Sequence, residues 1–204
     1  MTDVPTLLSE LEKRWSRRGC PVTELLRPGI AEDVVRRALG RLLGERDVPA
    51  EIIEWFGWHD GPIGSGEPAR LAPSDFLPLS LEAALWAWEY LRCVAKSIVD
   101  GLAGDPPGSP TDPDYFWSKD WLPIGWNEYW LSADLSGPGT ATPVRVVGSY
   151  ESEDFRVVKV ESLASMVRGW LDAPDQAWWW SGETRRWERD LRLIPVELRS
   201  NVIL

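Results

Sequence analysis

The sequence predicts an α+β domain with a mainly antiparallel sheet. Helical periodicity fills most of the first half, and alternating or β-branched runs fill residues 121–160. A further helical pattern follows these runs. Consecutive strands favour antiparallel pairing, with the helices packed on one side of the sheet. We therefore expect N-terminal helices and one long central helix to pack on this sheet, in a single domain spanning residues 1–204.

Four helices are predicted in the first half, each with apolar residues at intervals of three and four. They cover residues 4–15, 31–42, 49–57 and 80–102. Gly19 and Gly44 end the first two helices. Pro49 begins the third, where its missing N–H costs nothing, and Ser80 caps the fourth.

The longest of these helices carries aromatic residues away from its apolar stripe. The stripe runs from Leu81 to Leu102, whereas Trp86 and Tyr90 fall on the opposite side. The helix is therefore either covered on both faces or displays an aromatic patch.

Two segments between the regular elements have the composition of turns and loops. Residues 58–62, Trp-His-Asp-Gly-Pro, predict a turn in which the Asp bonds the local backbone and Gly61 takes a positive φ. Residues 101–115 are rich in Gly, Pro, Asp and Ser, and we expect a flexible loop within the domain.

Strands are expected in the second half, at residues 121–126, 129–135, 144–150 and 155–160, and a short apolar run precedes them at residues 76–79. In the second of these strands, Tyr129, Leu131 and Ala133 face one way, and Trp130 and Asp134 face the other. The acidic residues 151–154 join the last two as a hairpin turn, and Ser162 caps a final helix. Residues 178–187 form a further hairpin or a helix.

Composition excludes several classes of function. The 204 residues carry a net charge of −10, and nucleic-acid binding needs a basic face instead. No apolar segment approaches the roughly 20 residues of a membrane span. The N-terminus lacks the layout of a signal peptide, so we expect a cytoplasmic protein. Cys20 and Cys93 fit no metal or redox spacing and are expected to be buried free thiols, and no metal or cofactor is predicted.

In its short sequence motifs and their order, the sequence resembles the SMI1/KNR4 family, also called the SUKH superfamily. The resemblance covers about residues 1–173 and leaves 174–204 as a C-terminal extension. It rests on the following short motifs, in sequence order: Val48–Trp55 followed by Trp58–Gly61, Phe76–Ala84, Trp121–Ile124, Asp134-Leu135, Val144–Val147, Ser162-Leu163 and Trp170-Leu171. The chain departs from the family at residues 125–130, where bulky aromatics replace a glycine-rich turn.

This resemblance implies an SMI1/KNR4-like fold and a binding module rather than an enzyme. Many bacterial members are similar to immunity proteins that neutralise toxin domains, and fungal members are linked to cell-wall regulation as scaffolds. Our leading hypothesis is an immunity protein that blocks a basic toxin domain by occlusion. A regulatory scaffold is the alternative, and a carbohydrate-binding or hydrolytic protein is a third. A deep pocket with two convergent carboxylates would favour the third.

The partner in the leading hypothesis is another protein, met by acidic and tryptophan side chains. Tryptophan is favoured at interfaces, and 14 residues of this chain are tryptophans. For Trp126 and Trp130, core and binding surface both remain open. The residues predicted to bind the partner are Trp58, His59, Asp60, Trp126, Asn127, Glu128, Trp130 and Asp134.

Catalytic readings of single motifs are weaker than structural ones. His59 beside Asp60 has the pattern of an oriented general base, but no nucleophile accompanies it in sequence. Gly64-Ser65-Gly66 lacks the nucleophile-elbow pattern. Residues 151–154 lack the loop spacing of a calcium site. No catalytic residue is therefore predicted.

Overall fold

The computed structural model describes residues 4–64, 70–102, 110–127, 129–137, 141–148 and 158–193. These segments contain the helices α1 (Val4–Arg17), α2 (Val22–Leu25), α3 (Glu32–Leu43), α4 (Ala50–Trp58), α5 (Leu81–Gly101) and α6 (Leu163–Asp172). They also contain the strands β1 (Leu26–Pro28), β2 (His59–Pro62), β3 (Leu77–Pro78), β4 (Trp121–Trp126), β5 (Tyr129–Asp134), β6 (Val144–Gly148), β7 (Val158–Val160), β8 (Trp178–Ser181) and β9 (Arg186–Arg189).

The strands form one large and two small sheets, and the α+β prediction is confirmed. Strands β3 to β7 make a five-stranded sheet in sequence order, with every neighbouring pair antiparallel. The β1–β2 and β8–β9 pairs are separate antiparallel ribbons. Sequence-adjacent antiparallel strands need only short connections, although β3 and β4 are separated in sequence by α5.

Both faces of the large sheet are covered by hydrophobic residues. Leu122 and Leu131 belong to the main core, which also contains residues of α1, α3, α4 and α6. On the other face, Trp121 belongs to a second cluster that includes Leu91 and Ala95 of α5. The expectation that all helices pack on one side of the sheet is therefore wrong for the C-terminal half of α5.

Helix ends follow the local chemistry of the sequence. Gly19 and Gly44 follow α1 and α3 with φ angles of +82° and +65°, a region that glycine enters without steric cost. Ser80 caps α5 by accepting a hydrogen bond from the backbone N–H of Ala83 at 3.0 Å. These caps explain why the predicted starts and ends of the long helices lie within a few residues of the observed ones.

A buried glutamate ties three parts of the fold together. The Oε2 atom of Glu51 accepts hydrogen bonds from the backbone N–H groups of Thr142 at 2.6 Å and Leu163 at 3.1 Å. Its Oε1 atom accepts one from Ala164 at 3.3 Å. Ser162 caps the next amide, so the first three N–H groups of α6 all have acceptors. Glu51 thus joins α4 to the strand β6 region and to α6.

The predicted turn at residues 58–62 is instead the end of α4 followed by strand β2. Strand β2 pairs with β1, and His59 lies opposite Pro28. Gly61 does take a positive φ of +75°, as expected. A β-carbon there would lie 2.6 Å from the backbone nitrogen of Ser80, so the position also requires glycine for space.

Of the two alternatives for residues 178–187 in the C-terminal extension, the structure shows the hairpin, formed by β8 and β9. Trp178 is buried, and its ring lies 5.1 Å from that of Trp187. The guanidinium groups of Arg14 and Arg18 lie 5.0 and 4.6 Å from the centre of the Trp178 ring. Arg14 also donates to the carbonyl oxygen of Leu171 at 2.6 Å, at the C-terminal end of α6. The hairpin is therefore anchored to α1.

Some sequence predictions fall outside the described residues. They are the central part of the flexible loop (103–109), the acidic hairpin turn (151–154) and the chain end (194–204). The described end of that loop, Pro113–Tyr115, forms a short 3-10 helix. Among the described helices, none combines the length and apolar character needed to cross a bilayer.

The two cysteines differ in environment. Cys20 is buried, and burial raises the pKa of its thiol to about 12. Such a thiol stays protonated and unreactive at neutral pH. Cys93 is exposed on α5, so the prediction that both thiols are buried is wrong for Cys93.

Candidate functional site

The predicted partner-binding residues lie in two places. Trp58, His59 and Asp60 stand at the junction of α4 and β2. Trp126, Asn127 and Trp130 stand at one end of the β4–β5 hairpin. The remaining two are Asp134, at the other end of β5, and Glu128, which lies outside the described residues.

The hairpin end presents one exposed and one half-buried tryptophan. Trp126 and Trp130 are cross-strand neighbours with ring centroids 6.3 Å apart. Trp126 is 41% exposed, whereas Trp130 packs against the second cluster. Asn127 shapes the turn, since its Oδ1 atom accepts the backbone N–H of Tyr129 at 2.7 Å. Of the two tryptophans, Trp126 is therefore the one presented to a partner.

Among the described residues, the most exposed aromatic side chain is on α5. Trp86 is 64% exposed and Tyr90 is 44% exposed. Their rings stack at a centroid distance of 5.5 Å with an interplanar angle of 4°. The sequence left open whether this side of α5 is covered, and the structure answers that it displays an aromatic patch. Neither residue was among those predicted to bind the partner, although their i, i+4 spacing away from the stripe was a usable signal.

Acidic residues extend this patch along one face of α5. Glu82 lies four residues before Trp86, and Glu89 lies three residues after it. Both glutamates are exposed. Because residues three and four apart share one helix face, Glu82, Trp86, Glu89 and Tyr90 form a single acidic and aromatic stripe. We call these four residues the α5 stripe.

Two of the acidic residues predicted to contact the partner, Asp134 and Asp60, instead bond groups of this protein. Asp134 is only 6% exposed and forms an ion pair with Arg145 at 2.7 Å. Burial alone would raise the pKa of Asp134, but hydrogen bonds from Ser136 and Arg145 outweigh it and lower the pKa. Asp60 accepts the backbone N–H of Leu81 at 2.8 Å. The prediction of Asp134 as a partner contact is therefore wrong, and Asp60 bonds the start of α5 rather than its local backbone.

His59 is held on both sides by acceptors. Its Nδ1 atom lies 2.7 Å from the carbonyl oxygen of Arg27, and its Nε2 atom lies 2.6 Å from Oε1 of Glu12. Which ring nitrogen donates depends on the tautomer of the imidazole. The two contacts hold the ring between α1 and β1.

Glu12 connects His59 to Trp58. Its Oε1 atom also accepts the indole N–H of Trp58 at 2.5 Å. The hydrogen bond from His59 outweighs the opposing effect of burial and holds the pKa of Glu12 below its ordinary value. Glu12 is therefore an ionised carboxylate that fixes the orientation of the Trp58 ring.

An acidic groove lies beside this cluster. It is a cavity of about 330 Å³ between α1, α4 and the residues that lead into α3. Its lining includes three carboxylates and three apolar side chains: Glu12, Glu32, Glu54, Ile30, Ile53 and Trp58. We call this cavity the acidic groove. No sequence pattern predicted the acidic groove, because its walls come from three separate segments.

Two carboxylates of the groove are poorly suited to act as the acid of a glycoside hydrolase. That reaction needs one carboxyl group that stays protonated to act as an acid. The lowered pKa of Glu12 makes it the opposite of such an acid. Glu32 is exposed and paired with Arg36 at 2.7 Å. Glu12 and Glu32 therefore fit charge recognition better than proton donation.

Within the described segments, no group of three His, Cys, Asp or Glu residues is placed to hold a metal ion. No protein-family model matches the chain, and no curated protein matches it either. The resemblance to the SMI1/KNR4 family thus stays a prediction from short sequence motifs.

Proposed function

We propose that this chain is a non-catalytic protein-binding module of the SMI1/KNR4 type. Its role is that of a cytoplasmic immunity protein that neutralises a basic toxin domain by occlusion. The observation that carries the proposal is the α5 stripe, in which an exposed, stacked Trp86–Tyr90 pair shares one helix face with Glu82 and Glu89.

The aromatic pair is the energetic anchor in this proposal. Burying a large apolar side chain is worth about 1.5–3 kcal/mol, and a folded protein forgoes this gain where the ring stays in water. Interfaces use tryptophan and tyrosine in this way, because each buries a large area and keeps a polar atom for the partner. Trp126 supplies a second exposed ring at the β4–β5 hairpin.

The acidic residues supply specificity and speed. The chain carries a net charge of −10, and Glu82 and Glu89 lie on the same helix face as the aromatic pair. A nuclease or other toxin that holds phosphates needs a basic cleft. A negative surface accelerates encounter with such a cleft, and the aromatic rings then cover it. Occlusion needs no bond to be made or broken.

The proposal is tested with the product of a toxin-like gene adjacent to the gene for this chain. Calorimetry should detect a complex, and co-expression should restore growth of cells that make the toxin. Affinity should fall steeply as salt rises, because exposed charges are screened within about 8–10 Å at physiological ionic strength. A complex with little salt dependence would favour the regulatory scaffold. Absence of both binding and growth rescue would refute the immunity role.

A further inference from the structure

The acidic groove has a rigid aromatic wall. The Trp58 indole N–H is fixed by Glu12, and Glu12 is fixed by His59. His59 is in turn held by the carbonyl oxygen of Arg27 on strand β1. This chain of hydrogen bonds fixes the orientation of the Trp58 ring before any ligand binds, so binding carries no entropy cost for ordering the ring.

The same contacts leave acceptor capacity at the groove. Trp58 and His59 both bond the Oε1 atom of Glu12, and Oε2 has no donor among the described residues. Glu32 and Glu54 line the groove with Glu12. The described lining contains three carboxylates and no lysine or arginine. A cation in this groove would meet negative charge from Glu12 on α1 and Glu54 on α4, whereas Arg36 offsets the charge of Glu32 at the start of α3.

The combination favours a guanidinium over an ammonium group. A guanidinium is planar, so it can stack on an indole ring while its edge donates to carboxylates. An ammonium is compact and strongly hydrated and lacks this flat shape. The cavity volume of about 330 Å³ lies within the range of sites that enclose small ligands.

We infer that the acidic groove receives an arginine side chain of the partner protein, stacked against Trp58 and bonded by the Oε2 atom of Glu12. This inference rests on the proposed function for the identity of the partner. It adds a second contact region, formed by α1 and α4, to the α5 stripe. It also specifies what the partner must carry: an arginine projecting from a basic surface.

The test uses the full chain labelled with ¹⁵N and a small probe. N-acetyl-arginine amide is titrated while the indole N–H signal of Trp58 is followed by NMR. The matched probe is N-acetyl-citrulline amide, which has nearly the same shape and no charge. We expect a saturable shift of the Trp58 signal with the arginine probe and none with the citrulline probe.

Variants of the lining sharpen the test. Replacing one partly exposed carboxylate, in Glu54→Gln or Glu32→Gln, should weaken binding of the arginine probe about two- to five-fold. Glu45→Gln removes an exposed charge outside the groove and should leave the affinity unchanged. The spectrum of each variant reports whether the fold is retained, and Glu32→Gln remains informative if Glu54→Gln fails to fold.

Three results would overturn the inference: no saturable shift, equal shifts with both probes, or a shift with methyl glucoside in place of the arginine probe. The last result would point to sugar binding. The outcome is separable from that of the proposed function. If a toxin complex forms but the groove does not bind the arginine probe, only the groove assignment is refuted. If the groove binds the arginine probe but no toxin complex forms, only the immunity role is refuted.

Discussion

Removing the Glu51 carboxylate should destabilise the fold strongly. In Glu51→Ala, the buried N–H groups of Thr142, Leu163 and Ala164 lose their acceptor together. Each unsatisfied buried donor costs about 1–3 kcal/mol, and the lost charge at the start of α6 adds about 0.3–1 kcal/mol. Ala164 contributes least, because its hydrogen bond is the longest at 3.3 Å. We expect a loss of about 3–5 kcal/mol in the free energy of unfolding.

Glu51→Gln separates the acceptor from the charge. The amide oxygen can still accept the two N–H groups that bond Oε2, but the NH₂ group would face the N–H of Ala164. We expect a smaller loss, about 1–3 kcal/mol. The matched control is Glu89→Ala, an exposed glutamate on α5, which should change stability by less than about 0.5 kcal/mol.

Urea unfolding followed by tryptophan fluorescence measures these differences directly. A loss of 3–5 kcal/mol is a large fraction of the stability of a typical domain, about 5–15 kcal/mol. The reasoning would be refuted if Glu51→Ala lay within about 1 kcal/mol of the unmutated protein. Equal losses for the alanine and glutamine variants would show that the charge matters and the hydrogen bonds do not.

Three further predictions concern other parts of the molecule. The pKa of Asp134 is lowered in the folded state, so its stabilising contribution is present above its unfolded pKa and is lost as the pH falls through the lowered value; stability should decline as the pH falls below about 4, the ordinary pKa of an aspartate, and less so in Asp134→Asn. Arg14→Met should cost about 2–4 kcal/mol, since carbonyl oxygens at the end of α6 lose their donor, whereas the exposed Arg17→Met should cost under about 0.5 kcal/mol in the same urea assay. Trp86→Ser should reduce affinity for the toxin at least about ten-fold by calorimetry, with stability unchanged; Trp179→Ser, which removes a 45% exposed ring on β8, is the matched control.

Periodicity and cap residues were sufficient to predict the long helices. The apolar spacing from Val4 to Trp15 and the serine before α5 act within a few residues, so the sequence shows them directly. The β1–β2 ribbon was missed for the opposite reason. Leu26–Pro28 is three residues long, and its partner His59–Pro62 lies about thirty residues away. Local residue propensities do not predict a pairing between such distant segments, and the Asp-Gly-Pro sequence at residues 60–62 favours a turn.

Burial of the sheet faces was the main limit on predicting the site. Alternation placed Trp130 and Asp134 correctly on the same side of β5, away from Leu131. It could not show that α5 covers part of that side, that Asp134 is buried in an ion pair with Arg145, or that Trp126 stays exposed at the hairpin end. The α5 stripe was visible as an alternative, since Trp86 and Tyr90 left the apolar stripe. The acidic groove depends on distant segments meeting, which no local pattern encodes.

The most direct measurement of the docking claim is ¹⁹F NMR of the 5-fluorotryptophan-labelled chain with and without the toxin domain. The signals of Trp86 and Trp126 should shift on complex formation, while that of Trp170, buried in the core, stays in place. If a complex forms and both exposed rings keep their unbound signals, the α5 stripe is not the docking surface and the account fails.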